Sequence, residues 1–139
     1  MVTDDLMKTK SAHKLTPHDK KIVDVFADLG MPKNLAKTLM FVSQVKECRS
    51  ADIERGANLR QPEVSVAMQE LTRLGWVSKR NQKKEGKGRP IYIYTLESPI
   101  DDIITYFEQE KLQQIHSIKE DLTELKNLLK VRDQPSDDQ

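Results

Sequence analysis

A chain of 139 residues with 37% hydrophobic residues has material for one modest core and an appendage, not for two large domains. Aromatic residues make up 5% and charged residues 32%, a balance that fits a small, helix-rich fold with a heavily solvated surface and argues against a deep aromatic-lined substrate cleft. A formal net charge of +1 argues against a generic nucleic-acid glue, the single Cys48 excludes an internal disulfide, and no run approaches the roughly 20 apolar residues of a membrane span.

Residues 1–15 are polar and aperiodic, so a flexible arm is expected there. The opening MVTDDLMKTK lacks the apolar stretch of a signal peptide, and a cytoplasmic location is the expectation. Thr16 then precedes Pro17, with Asp19 in the first turn: a capping hydroxyl, a proline whose missing N–H costs nothing, and a negative charge at the positive end of a helix. Ile22, Val25, Phe26 and Leu29 follow at helical spacing, predicting a helix over 17–29 closed by Gly30. Pro32 opens a second helix. Leu35, Leu39, Val42 and Val45 mark its buried side, Met40 and Phe41 widen the stripe, and it should end near Lys46 or Glu47. Cys48 follows this apolar run and reads as structural, not as a reactive thiol. Ser50 can cap a short third helix over 51–56, anchored inward by Ile53.

The stretch RQPEVSVAMQELTRLGW, residues 60–76, predicts the next helix over 62–74. Pro62 suits the first helical position, Glu63 favours the positive helix end, Val64, Ala67, Met68, Leu71 and Leu74 share one face, and Gly75 stops it. Residues 77–96 then read as a hairpin: a polar strand, a loop containing Glu85, Gly86, Lys87 and Gly88, and a strand IYIYT entered at Pro90. Ile91, Ile93 and Thr95 should pack on the helices, leaving Tyr92 and Tyr94 on a wet face. Pro99 opens the last and longest helix, over 99–132. Ile115, Ile118, Leu122, Leu125 and Leu129 alternate in steps of three and four, a heptad seam of about two repeats. Ile100, Ile103, Ile104, Phe107 and Leu112 do not keep that register strictly. A disordered tail is expected over 133–139, and there is no internal repeat.

The near-neutral sum conceals a charge segregation. Over 77–95, Lys79, Arg80, Lys83, Lys84, Lys87 and Arg89 stand against the single Glu85, whereas from residue 96 onward the acids outnumber the bases by about six. Short helices, a helix and tight turn leading into an amphipathic helix, and then a basic hairpin form the pattern of a winged helix-turn-helix. A major groove about 12 Å wide admits one helix, a preceding helix packed across it holds its N-terminal half at the base edges, and the hairpin reaches phosphates or the minor groove. The fold class is therefore mainly α with a small β-hairpin. A flexible arm over 1–15 leads to a winged helix-turn-helix domain over 16–97, a long C-terminal helix over 98–132 and a tail over 133–139.

The segments LRQPEVSVAMQELTRLGWV and KEGKGRPIYIYTL resemble the winged-helix transcriptional regulators of archaea and bacteria, close to the MarR-like and TrmB-like groups. The resemblance is nearest to small archaeal regulators that pair an RQPEVS helix with a GRP wing, and it covers roughly residues 17–97. It implies a DNA-binding repressor or activator, usually dimeric. Two departures stand out. The sugar-binding domain of the TrmB-like group has no counterpart here, which takes sugar sensing out of the expectation, and Gln61 stands where Ser or Thr often caps this helix.

Opposite the apolar face of the fourth helix lie Pro62, Val66, Gln69 and Arg73, with Ser65 on the flank and Arg60 and Gln61 at the start. Gln69 carries the bidentate amide that suits adenine, Arg73 is placed for phosphate, Ser65 suits either a base or a phosphate, and Val66 suits a thymine methyl. Glu70 lies nearby and repels phosphate. On the wing, Lys83, Lys84, Lys87 and Arg89 are the cations for a phosphate backbone, and Arg89 suits a narrow minor groove. The plain alternatives are a solvated helix face and a charged hairpin edge. For the seam the alternatives are packing on its own domain and an intermolecular contact. The second is preferred because few apolar residues remain to receive it, and Ile103, Ile104 and Phe107 would extend Ile115, Ile118, Leu122, Leu125 and Leu129 in a homodimer interface.

No catalytic or metal-ligating constellation stands out. His13, His18 and His116 lack ligand or triad spacing to Cys48 or to one another, Asp101 with Asp102 and Glu120 with Asp121 are adjacent helical charges, and Gly86 and Gly88 sit inside a hairpin. The expectation is a non-enzymatic regulator without cofactor, acting as a homodimer on double-stranded DNA, with no membrane partner and no residue that identifies an effector. The rival is a winged-helix protein-contact module of a transcription complex whose DNA binding is weak or nonspecific.

Overall fold

The computed structural model describes residues 13–82 and 91–133. The arm before residue 13, the hairpin tip with Lys83, Lys84, Lys87 and Arg89, and the tail from residue 134 lie outside the described residues. Among the described residues the order is α1 (Pro17–Asp28), α2 (Lys33–Val45), β1 (Glu47–Cys48), α3 (Ser50–Ala57), α4 (Gln61–Arg73), β2 (Val77–Gln82), β3 (Ile91–Leu96) and α5 (Ile100–Asp133). The fold is mainly α with a small antiparallel sheet: a winged helix-turn-helix followed by a long helix. Two compact units make up the chain, Met1–Ile100 and Asp101–Gln139.

In the first unit, α1 starts with a reciprocal cap. The Asp19 amide donates to the Thr16 hydroxyl at 3.1 Å and the Thr16 amide to the Asp19 carboxylate at 2.8 Å. Gly30, at φ 104°, closes the helix in a left-handed turn that lets the Met31 amide reach the Phe26 carbonyl at 3.0 Å. The buried stripe of α1 is not the expected one. Asp19, Val23 and Phe26 are buried, Ile22 is half-buried, and Val25 and Leu29 are exposed. The physical reason is polar: Asp19 is drawn inward by Thr16 and by the Gln44 amide, which donates to it at 2.7 Å, and this rotates the helix about its axis. His13 to Leu15, expected in the flexible arm, are docked instead. The Leu15 amide donates to the Gly56 carbonyl at 3.0 Å, the His13 ring meets Phe41 edge-on at 5.5 Å, and its Nε2 pairs with the Gln44 side chain.

The core of the unit is α2, whose residues Leu35, Ala36, Thr38, Leu39, Met40, Phe41 and Val42 are all buried. The Thr38 hydroxyl stays satisfied by donating to the Asn34 carbonyl at 2.9 Å. Ser50 does not cap α3: it is the first helical residue, and the Arg49 amide donates to the Asp52 carboxylate at 3.0 Å in its place. Asn58, left-handed at φ 55°, ends α3 and begins the turn to α4.

The sheet has three strands in the order β1-β3-β2, one more than the expected hairpin. Its register runs from Val77 opposite Leu96 to Gln82 opposite Ile91, with Glu47 opposite Thr95 and Cys48 opposite Tyr94 on the other edge. Tyr94, expected on the wet face, is buried, as is Ile93, so at this point both faces of β3 are covered and only Tyr92 faces solvent. In the second unit, α5 is one continuous helix of 34 residues. No helix among the described residues is long and apolar enough to cross a membrane.

Candidate nucleic-acid interface

The helix that follows the α3 turn is gripped along one side. Val64, Ala67, Met68 and Leu71 of α4 are buried, and Pro62 stands in the first turn. The start of the helix needs no hydroxyl cap at Gln61, because Gln61 is already helical and the Arg60 amide donates to the Glu63 carboxylate at 2.8 Å. At the other end Gly75, at φ 79°, allows the Trp76 amide to reach the Leu71 carbonyl at 3.1 Å and turns the chain into β2.

Opposite the gripped face, Gln61, Pro62, Val66, Gln69 and Arg73 are exposed and Ser65 is half-buried, so the residues picked out by sequence share one surface. Val66 is 68% exposed at its middle. Arg60 extends at the start of α4, its Nε 3.9 Å from Glu63. Thr72, one turn after Gln69 and also exposed, belongs to the same surface and was not among the expected residues, although its position on the flank of the apolar stripe is a signal for it.

The electrostatics of this surface differ from a count of its charges. Arg73 is held in a forked pair by Glu70, with Nε donating to Oε1 at 2.9 Å and Nη2 to the other oxygen. That hydrogen bonding keeps the Glu70 carboxyl below its ordinary range. On the adjoining strand, Arg80 pairs with Glu47 at 2.9 Å and the Lys79 ammonium sits 4.5 Å above the Tyr92 ring. The described cations of the hairpin thus have partners within the sheet. Lys83, Lys84, Lys87 and Arg89 are outside the described residues.

Along α5, Ile115, Ile118, Leu122, Leu125 and Leu129 are 45 to 57% exposed, and Leu112, Leu128 and Val131 are exposed beside them. Ile104 is exposed and Phe107 half-buried, with the Lys111 ammonium 5.2 Å from the Phe107 ring. Ile103, expected at a dimer interface, is buried. Cys48 is buried, and no group of three His, Cys, Asp or Glu among the described residues could hold a metal ion.

No family model and no curated protein matches the chain. Several solved structures are similar to it at low identity. A MarR family regulator from Neisseria meningitidis is 13% identical over 81% of this chain and 88% of its own, with a TM-score of 0.44. A transcriptional regulator homologue from Pyrococcus horikoshii is 17% identical over 78% and 97%, with a TM-score of 0.42. MepR, a transcription regulator of the Staphylococcus aureus multidrug efflux pump MepA, is 14% identical over 82% and 87%, with a TM-score of 0.44. At such values the chemistry of the site has to be argued from this chain's own residues.

Proposed function

We propose that the chain is a homodimeric regulator of transcription that binds double-stranded DNA sequence-specifically. In this reading α4 enters the major groove, the basic hairpin lies on the phosphate backbone or in the minor groove, and α5 joins two copies. The observation that carries it is the two-sidedness of α4: four apolar residues hold it to the domain, while Gln61, Val66, Gln69 and Arg73 are presented outward beside a cation-rich hairpin. A gripped helix with a free polar face, preceded by a short helix across a tight turn, matches what a groove accepts. Gln69 and Val66 carry base readout; Arg60, Arg73 and the wing cations carry phosphate contact.

Self-association is supported by the exposed seam, since apolar side chains at heptad spacing gain most when a second copy covers them. The flanking charges favour a parallel pair. With Ile115, Leu122 and Leu129 on one core row and Ile118 and Leu125 on the other, a parallel partner brings Asp121 against Lys126 and Phe107 against Leu112. An antiparallel partner sets the Lys119 and Lys126 edge against itself. A two-fold pair of chains reads an inverted repeat.

One observation favours a protein-contact module instead: the middle of the α4 surface is occupied by exposed Val66, and Arg73 on the same face is held by Glu70. Selection of the purified protein on a pool of random duplexes at two salt concentrations separates the readings. An enriched inverted repeat supports the operator reader, salt-labile binding without enrichment refutes sequence specificity, and no binding at either salt leaves the protein-contact module.

A further inference from the structure

Away from the α4 surface, α1, α2 and the end of α3 line an open cavity of about 480 Å³. Its walls carry Lys14, Lys20, Lys33, Lys37 and Arg55 against the single carboxylate of Asp24. Lys33 and Lys37 stand one turn apart on α2, and packing adds Lys14 from just before α1, Lys20 from α1 and Arg55 from α3, around a lining that includes buried Val23 and Ala57. Hydrogen bonds tie the backbone around it together: the amide of Leu15, itself a lining residue, donates to the carbonyl of Gly56, and Asp19 of α1 is held by the cap and by Gln44.

Two of the cations have carboxylate partners, Lys33 with Asp24 at 3.7 Å and Arg55 with Asp52 at 3.1 Å. Lys14, Lys20 and Lys37 make no ion pair among the described residues, and Lys37 is half-buried. Like charges gathered in a concave site repel one another and focus a positive potential into it, an arrangement that an anion relieves. The volume falls in the range of small-molecule sites, and the cationic walls over an apolar floor set the chemistry of the occupant.

We propose that this cavity is a binding site for a phosphate-bearing anion carrying two or more negative charges. Lys20 and Lys37 hold the phosphates, and Lys14, Lys33 and Arg55 add to the field. Asn58 lines the cavity and also opens the turn into α4, so an occupant touches the segment that sets the start of that helix. The site stands on its own geometry; its consequence for DNA rests on the function proposed above. The same chemistry has two sources, a free phosphorylated small molecule and the backbone of a DNA duplex.

The test titrates the full chain with tripolyphosphate by calorimetry at low salt, alongside a Lys20→Gln, Lys37→Gln double variant and a Lys83→Gln, Lys87→Gln wing variant, with thermal melts to confirm folding. The expected result is one saturable site per chain, weakened about tenfold or more in the cavity variant and kept in the wing variant. The same proteins are then titrated with duplex DNA. Unchanged DNA affinity in the cavity variant assigns the site to a free anion, whereas weaker binding with a salt slope shallower by about two assigns it to the backbone. The proposal is overturned if tripolyphosphate does not saturate, or if the cavity and wing variants lose it equally. If the wild-type chain binds no DNA but binds tripolyphosphate through Lys20 and Lys37, the proposed function fails and the cavity stands.

Discussion

Replacing Glu70 by Gln should tighten DNA binding. Glu70 and Arg73 lie one turn apart on α4 and are joined by a forked hydrogen bond, so the guanidinium that would meet a phosphate is engaged by a carboxylate that would repel one. Arg73 holds the Glu70 carboxyl below its ordinary value, so the pair is intact at neutral pH and is lost only as the pH falls through that lowered value. Mild acid therefore cannot release Arg73, and substitution can. One additional phosphate contact steepens the dependence of log affinity on log salt by about 0.9, which amounts to about eightfold tighter binding near 0.1 M salt and nothing near 1 M. Fluorescence anisotropy of a labelled duplex across a salt series would compare the wild type, Glu70→Gln, Arg73→Ala and the double variant. The gain should appear equally on selected and random DNA and disappear when Arg73 is also replaced. A gain that persists without Arg73 would show that Glu70 acts through the general field, and an unchanged salt slope would remove Arg73 from the backbone altogether.

Gln69→Ala should weaken selected over random DNA by roughly 1 to 3 kcal/mol, the loss of one bidentate base contact; equal losses on both would remove Gln69 from base readout. Leu122→Asp should weaken self-association, seen by sedimentation, by roughly 3 kcal/mol or about a hundredfold for the two side chains uncovered, and an unchanged mass distribution would refute the seam as interface. Gly56→Ala should lower the melting temperature, because a Cβ there would lie 2.0 Å from the Phe41 ring and 2.6 Å from the His13 carbonyl oxygen, an overpacking of about 1 to 3 kcal/mol; an unshifted melt would contradict that close approach. For Asp19, burial raises the pKa, but hydrogen bonds from Thr16 and Gln44 and the charge of His13 outweigh it, leaving it below the ordinary 3.8. Its stabilisation is therefore complete above that value and fades as pH falls through the lowered one, so urea midpoints of wild type and Asp19→Asn should differ by a constant amount near neutrality and converge in acid.

The elements that could be read from the sequence are those whose burial is decided by apolar period alone. In α4, Val64, Ala67, Met68 and Leu71 fix the rotation of the helix, and the outward residues follow by subtraction. The rotation of α1 differs from the one its apolar period predicts because its buried stripe includes a carboxylate. Asp19 is buried among hydrogen-bond partners from Thr16 and from Gln44, 25 residues away, and no hydropathy pattern encodes such a partner. Strand β1 has two residues, too few to show a period, and its pairing with β3 sets buried Cys48 beside Tyr94 on the face expected to be wet. The basic cavity is illegible for the same reason as Asp19: Lys33 and Lys37 share one face of α2, but Lys14, Lys20 and Arg55 join them only when the helices pack. The Glu70 and Arg73 pair is readable at its spacing of three, which places the two side chains one turn apart on the helix surface.

Pairing also separates two roles that a count of cations merges. Arg73, Lys79 and Arg80 all have partners of their own, so close to the proposed groove face the charge is largely compensated, while Gln69 and Val66 stand exposed on it. On the proposed reading, sequence-independent attraction then comes from the wing tip, and base choice from the α4 face. On the same reading Glu70 would lower affinity for every duplex alike and keep nonspecific binding down without touching base readout, since specificity is the ratio of the two affinities. The Glu70→Gln variant should accordingly bind more tightly and discriminate no better, occupying more competing DNA at a given concentration. A variant that gained discrimination together with affinity would place Arg73 at a base edge and not at a phosphate.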